Sequence, residues 1–277
     1  MGESGRLFVC ATPIGNLGDV SDRLRETLST ADVVYAEDTR RTATLLQHVG
    51  AKPQVRSLFV GNEAKRTGDL LHALGKGMTV VIVSDAGMPA VSDPGSEAVR
   101  RAREAGYPVT VIPGPSAVTT AVVLAGFGAD RFVFEGFLPR KGRARSERLA
   151  RIATEDRPVV VFVSPHRLVT DLDAISSVTG PARDVAVTRE LTKLHEEVWV
   201  GSVGHAVEEW SAREPKGEFT VVVAPGAMVR LSVDAAIGEA RDLVAGGSSP
   251  SEAAKRVAGA TGISRRSIYE ALIEDQA

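Results

Sequence analysis

Val80-Val81-Ile82-Val83-Ser84-Asp85-Ala86-Gly87-Met88-Pro89 is the stretch whose reading decides the fold. Its β-branched apolar run, flanked by Gly77 and Gly87, reads as a central parallel strand buried on both faces. The strand stops at a tight loop. Beyond it, Asp93-Pro94-Gly95 reads as a helix N-cap with proline at the first helical position. Strand, glycine loop and helix mark the place where open α/β sheets bind ligands, outside the carboxyl ends of their strands. Gly87 lets backbone approach a ligand closely, and Asp85 is a formal charge within the loop. Taken alone, the stretch reads better as an ordinary βα turn with Asp85 as a local cap, so the weight falls on its surroundings.

Working outward, the same alternation repeats. Leu7–Ala11, Val33–Ala36, a short strand near Ser57-Leu58-Phe59, and Val109–Ile112 are predicted strands. Helices between them carry Leu24 and Leu28, Leu45 and Leu46, and Leu70, Leu71 and Leu74. This pattern predicts parallel βαβ units with helices on both faces. Pro113-Gly114-Pro115-Ser116 opens a small-residue helix, Ala117 to Ala125. A second α/β half follows, with strands at Phe132–Phe134, Val159–Val163, Val185–Val187, Val198–Val200 and Phe219–Val223. Its helices are expected near Arg145–Ala153, His166–Ser177 and Ala206–Trp210. After Pro225-Gly226 the β-branched runs cease. Ser249-Pro250-Ser251-Glu252 is a capping box, and two short helices around the turn Gly259–Ser264 suggest a helix-turn-helix or a packing hairpin. The expected division is 1–116, 117–228 and a helical tail 229–277.

Composition is that of a globular chain: 43% hydrophobic, 25% charged, with a net charge of -2 that announces no nucleic-acid binder by itself. Nucleic-acid contact would rest on local patches. The single Cys10 excludes an intramolecular disulfide and reads as buried. No leader is evident at the polar start, and no apolar run approaches the ~20 residues of a membrane span. The expected location is the cytoplasm. G-x-G-x-x-G at the first βα turn, a P-loop and a G-x-S-x-G elbow are absent. The histidines lack ligand spacing, so no metal is expected.

Polar clusters fall at strand ends: Glu37-Asp38-Thr39-Arg40, Asn62-Glu63 and Ser84-Asp85. In a parallel sheet these share one rim and converge on a site. Pro113, Gly114 and Ser116 stand at a helix N-terminus whose free N–H groups favour an anion such as a carboxylate. Arg140-Lys141-Gly142-Arg143-Ala144-Arg145 is the densest basic run; a solvated face is the ordinary reading and a phosphate contact the functional one.

Taken in order, Thr12–Leu17, Ala36–Arg40, Ser84–Pro89, Ile112–Ser116, Glu135–Pro139 and Arg189–Lys193 resemble the small-subunit 16S ribosomal RNA methyltransferase I family of the tetrapyrrole methylase superfamily. The resemblance implies two α/β domains of the tetrapyrrole methylase type with the cofactor, S-adenosylmethionine, in the cleft between them, plus the helical tail. It further implies a homodimer that methylates a cytidine ribose 2′-hydroxyl in the decoding region. On this reading the cofactor carboxylate meets Ser116 and Ala117, with Pro113 and Gly114. Asp85 faces its cations, and Pro13, Ala86, Gly87, Pro89 and Phe162 shape the pocket. Candidate bases are Asp38, Glu63 and Glu190. Arg40 and Lys193 lower the hydroxyl pKa or hold phosphate. Arg140, Lys141, Arg143, Arg145, Arg265 and Arg266 contact RNA. Two departures stand out: Phe59-Val60-Gly61 and Phe162-Val163-Ser164 lack polar side chains usual in the family. The alternatives are a tetrapyrrole C-methyltransferase, against which the basic run and the tail argue, and a non-catalytic RNA-binding assembly protein.

Overall fold

The computed structural model describes residues 5–226, 233–261 and 263–274. Strands β1 (Arg6–Cys10), β2 (Val33–Ala36), β3 (Gln54–Ser57), β4 (Thr79–Val83) and β5 (Val109–Ile112) form one sheet in the order β3-β2-β4-β1-β5. Every pairing in it is parallel. The β4 run is buried on both faces because its residues alternate between two cores. Val81 and Val83 meet Leu24 and Leu28 of α1 (Asp22–Thr30) and Leu45 and Leu46 of α2 (Thr39–Val49). Val80 and Ile82 meet Leu70 and Leu74 of α3 (Glu63–Gly75) and Ala98 and Ala102 of α4 (Ser96–Glu104).

The helix α5 (Ala117–Ala125) then leads to a second sheet. Its strands are β6 (Val133–Phe137), β7 (Val159–Val163), β8 (Asp184–Arg189), β9 (Glu197–Ser202) and β10 (Phe219–Val223), in the order β6-β7-β10-β8-β9. Only β6 and β7 run parallel; the remaining neighbours are antiparallel. One face packs on α6 (Arg143–Thr154), α7 (Leu168–Thr179) and α8 (Val203–Ser211), with Trp210 fully enclosed. The other face packs on α5 and on Ile14 and Ala86, which come from the loops after β1 and β4. Both sheets lie in one compact unit that ends at Ala224. The expected division at 116/117 falls at the start of α5.

The second unit, from Pro225, holds α9 (Val233–Ala245), α10 (Pro250–Thr261) and α11 (Arg265–Glu274). The capping box forms as the sequence predicts: Ser249 N donates to Glu252 Oε2 (3.2 Å) and Glu252 N to Ser249 Oγ (3.3 Å). Ile268 and Leu272 bury against Ala236 and Ala240 of α9 and Val257 of α10, so the tail has its own small core. The helix α9 has no counterpart in the sequence reading, because its buried face is built from alanines. The boundary expected at 228/229 and Gly262 of the expected turn lie outside the described residues.

Two further readings are corrected. The third strand is Gln54–Ser57, earlier than the expected stretch near Ser57-Leu58-Phe59, because Phe59 N donates to Asn62 Oδ1 (2.8 Å) and Asn62 N to Phe59 O (2.9 Å) in a turn. Asp93 is not a helix cap: α4 starts at Ser96 with Gly95 before it, at φ 125°. Among the described residues no helix is long and apolar enough to cross a membrane.

Candidate active site

The carboxyl ends of β1 and β4 are tied together by a backbone pair. Thr12 N donates to Gly87 O (2.9 Å) and Gly87 N to Thr12 O (3.1 Å), while Thr12 Oγ1 donates to Ser84 O (3.3 Å). Gly87 sits at φ 80°, where a side chain is strained, and a Cβ there would stand 3.3 Å from Ile14 Cγ2. Ala90 (φ 68°) and Ser92 (φ 64°) also take left-handed backbone in the same loop. Such strain persists only where the surroundings enforce it, and it gathers at ligand sites. Ser92 does meet the second sheet: a Cβ on Gly136 would lie 3.0 Å from its Oγ.

Between this rim and the second sheet lies a cavity of about 460 Å³, within the range of small-molecule sites. Glu37, Arg41, Asp85 and Asp93 give it a charged end. Ile14, Val118, Phe162, Leu191 and Phe219 give it an apolar body. No side chain caps α5, so its first N–H groups open beside Ser116 and Ala117, which line the cavity.

The charged end is a network. Asp85 Oδ1 accepts from Asp38 N (2.8 Å), and its Oδ2 is 3.8 Å from Arg41 Nε. Arg41 continues to Glu218 (3.7 Å), and Glu218 to Lys193 Nζ (3.1 Å). Lys193 closes on Glu190 (2.8 Å), whose Oε1 also accepts from Glu218 N (2.9 Å). Asp85, Glu190 and Lys193, far apart in sequence, therefore join through Arg41 and Glu218. Burial opposes the charge on both Glu190 and Lys193. Their mutual hydrogen bond, the hydrogen bonds with Glu218 and the nearby charges together outweigh it, holding the glutamate below and the lysine above its ordinary range.

Asp93 and Glu37 behave oppositely. Burial, then the charge of Glu37 and that of Asp85, push Asp93 up to about 7 despite the Ser84 hydroxyl beside it. Burial and then Asp85 also raise Glu37. Asp38, by contrast, is drawn down to about 2 by Arg40, whose side chain and N–H both bond it.

Of the residues expected at the cofactor, Asp85, Ala86, Gly87, Ser116, Ala117 and Phe162 line the cavity. Pro13, Pro113 and Gly114 stand in the adjoining loops without lining it. Gly114 is required by packing, since a Cβ would press on Ala11 Cβ at 3.0 Å. Pro89 faces a separate cavity of about 560 Å³ beside β5, with Tyr107 and Val111. The expected catalytic groups lie around the cavity rather than on its wall. Asp38 caps α2 and pairs with Arg40 (2.7 Å). Glu63 caps α4, its Oε1 accepting from Gly95 N (2.9 Å) and Glu97 N (3.3 Å).

The basic run divides. Arg140, Lys141 and Arg143 are exposed, with Arg143 paired to Glu147 (2.6 Å). Arg145, expected on RNA, is turned inward: its side chain is 13% exposed and bonds buried Asp171 (2.8 Å) and Pro139 O (3.1 Å). Asp171 also holds Arg167 (2.8 Å). In the tail, Arg265 donates to Ser251 Oγ (3.0 Å) and Arg266 pairs with Glu270 (2.7 Å), both on the surface.

Arg41, Asp93 and Glu218 are cavity residues that sequence reasoning missed, and Glu37 was placed only within a strand-end cluster, without a role of its own. One signal for Asp93 was available. The span from Ser84 to Gly95 is far longer than the usual βα loop of about 2–6 residues, and long loops of this kind are functional.

The chain matches the family of Tetrapyrrole (Corrin/Porphyrin) Methylases over residues 6–207. It is 46% identical over 276 residues to the Ribosomal RNA small subunit methyltransferase I of Mycobacterium tuberculosis, covering 99% of this chain and 96% of that one. With the protein of the same name from Thermotoga maritima it shares 44% identity over 219 residues, covering 79% of this chain and 98% of the relative. Among solved structures, uroporphyrin-III C-methyl transferase from Thermus thermophilus complexed with S-adenyl homocysteine superposes with a TM-score of 0.57 at 18% identity, covering 79% of this chain and 97% of that one. That last likeness is one of fold.

Proposed function

Because the chain belongs to the tetrapyrrole methylase family and, within it, to the Ribosomal RNA small subunit methyltransferase I group, we propose that it transfers a methyl group from S-adenosylmethionine to a cytidine ribose 2′-hydroxyl in the decoding region of 16S rRNA. The observation that carries this reading is the match over 99% of the chain to relatives of that one name, because the cavity alone would suit many members of the fold.

The cavity suits the donor chemically. Its carboxylate is served by the uncapped start of α5 at Ser116 and Ala117. Its cationic centres are served by the acidic end, where Glu37 and Asp85 outnumber Arg41. Close backbone approach is served by Gly87 at φ 80°. When bound, the donor supplies an electrophilic methyl group.

The chain's own residues have two tasks: to hold the hydroxyl in line, and to take its proton. Asp38, Glu63 and Glu190 are each committed to a structural partner. Asp93, raised to about 7 and on the cavity wall, is the better-poised base, since a catalytic acid–base works best with a pKa near the working pH. Glu37 shares the negative charge that keeps it so.

The enzyme works as a cytoplasmic homodimer on the small ribosomal subunit. Exposed Val111 on edge strand β5, and Val123 and Leu124 on α5, support self-association; sedimentation tests it. The decisive experiment incubates purified protein and labelled donor with small subunits lacking the modification, then maps the label by nuclease digestion and mass spectrometry. Label on a cytidine ribose of 16S rRNA is the expected result. Label on a porphyrinogen instead, or none on either, would overturn the reading.

A further inference from the structure

The aromatic residues of β6 and β7 fall on one face only because β6 is irregular. Phe134 pairs with Val160, and Phe137 with Phe162, but the register shifts between Phe134 and Gly136. Phe137 lies three positions after Phe134, so in a regular strand the two would point to opposite faces. The bulge at Glu135 restores them to the same face, and Gly136 adopts φ 63° to allow it. The result is an aromatic row. The Phe134 and Phe162 ring centroids are 4.9 Å apart, and those of Phe137 and Phe162 are 5.6 Å apart. Phe162 is half-buried, while Phe137 lines the cavity and remains 55% exposed.

The backbone under Phe137 is held in place. Arg148 donates to Glu135 O and, at 3.5 Å, to Phe137 O. Arg145, anchored on Asp171, donates to Pro139 O. Directly after this clamp come exposed Arg140, Lys141 and Arg143. The step from Phe137 to Arg140 spans at most ~11 Å of extended chain, the reach from a base to its flanking phosphates.

We propose that Phe137 is a stacking platform for a base of the RNA substrate, unstacked at the cavity mouth while Arg140 and Lys141 hold the adjoining phosphates. This rests on the ribosomal RNA reading of the same cavity. A ring face that is exposed, rigidly presented and adjacent to cations fits an unpaired nucleobase, which offers a π-face and a charged backbone together. The donor's own adenine is the competing occupant. Exposure at the mouth, next to the cationic loop, favours the RNA base.

The test compares Phe137→Ala, Phe137→Leu, Phe137→Tyr and Phe137→Trp with wild type. Three readouts are taken: donor affinity by calorimetry, 16S rRNA affinity by fluorescence anisotropy, and KM and kcat on small subunits. The alanine and leucine variants should raise the KM about tenfold, the value of one base stack. Donor affinity should stay unchanged, and the tyrosine and tryptophan variants should stay near wild type. A leucine variant equal to wild type would show bulk, not stacking, and overturn the proposal. Loss of donor affinity parallel to the KM rise would assign the ring to the cofactor and overturn it too. If the wild type itself methylates no small subunit, the functional reading fails separately. The platform then stands or falls on whether the alanine variant binds rRNA more weakly than wild type.

Discussion

The first sheet brings charge to the cavity on loops: Glu37 follows β2, and Asp85 and Asp93 follow β4. The second sheet brings a face instead, with Phe162 on β7, Thr220 beside it on β10, and Phe137 at the end of β6. The difference follows from strand direction. In an all-parallel sheet every strand ends at the same rim, so polar loop residues accumulate there. In the mixed sheet all neighbours but β6 and β7 end at opposite rims, so the shared element is a side-chain surface. The first half supplies most of the cavity wall's carboxylates, and the second supplies its apolar and aromatic contact together with Glu218.

Gly87→Val strikes where the halves meet and should have the largest effect. At φ 80° a branched side chain carries backbone strain of about 1–3 kcal/mol. It also presses on Ile14, which belongs to the core shared with the second sheet. Calorimetry should detect no donor binding, with near-native circular dichroism; Gly87→Ala should be milder. Undiminished donor affinity in the valine variant would move the site away from the loop.

Asp93→Asn separates the proton role of the first half from binding. The kcat should fall on the order of 100-fold, with donor affinity nearly kept. The wild-type rate should rise through a limb near pH 7, as Asp93 ionises, and the variant should lack that limb. Stability should move the other way. The native carboxyl is raised to about 7 from an ordinary value of 3.8, so native protein holds the proton more tightly than unfolded chain. Stability from this group is present below the unfolded value and is lost as pH rises towards 7. Asparagine removes that penalty, so its Tm should exceed wild type at pH 8 and converge with it near pH 4.

In the second half the basic run itself contains a contrast. Reversing Arg140, Lys141 and Arg143 to glutamate should weaken small-subunit binding about tenfold at low salt. It should also reduce the salt slope by about 0.7–0.9 for each phosphate no longer neutralised. Donor affinity should not change. Arg145→Ala should lower Tm instead, because Asp171, only 4% exposed at its side chain, is left with one of its two arginines. A salt slope that moves with Arg145 but not with the other three would reverse the assignment.

These cases show which parts were legible in sequence. The loop Ser84–Gly87 and the start of α5 announce themselves through local chemistry, and Phe162 lies on a strand of unmistakable pattern. The proposed base does not announce itself. Asp38, Glu63 and Glu190 resemble Asp93 as letters and differ only in partners. Arg40 is close to Asp38 in the chain, but the amides that engage Glu63 at the start of α4 lie 32 and 34 positions further along. The face taken by Phe137 depends on a bulge that a period of two does not encode. The inward turn of Arg145 depends on Asp171, from a different helix. α9 was missed because Ala236 and Ala240, its buried residues, give a weak apolar signal.

The smallest expected effect is in the tail, which tests whether catalysis belongs to the two sheets alone. The Thermotoga relative is 98% covered by a match of 219 residues, so it has no room for a tail of this length. The tail buries Ile268 and Leu272 within its own three helices. Ending the chain at Gly226 should therefore leave donor affinity and the Tm of the first unit unchanged and lower methylation of small subunits several-fold. Arg265→Ala with Arg266→Ala should reproduce part of that loss at unchanged Tm. Arg265 has a surface hydrogen bond to Ser251, and Arg266 has an exposed pair with Glu270. Contacts of this kind contribute little to stability, yet both cations stand near exposed Tyr269, a suitable surface for RNA. Full activity of the double variant, with loss of folding on truncation, would make the tail a structural element and confine RNA contact to the sheets.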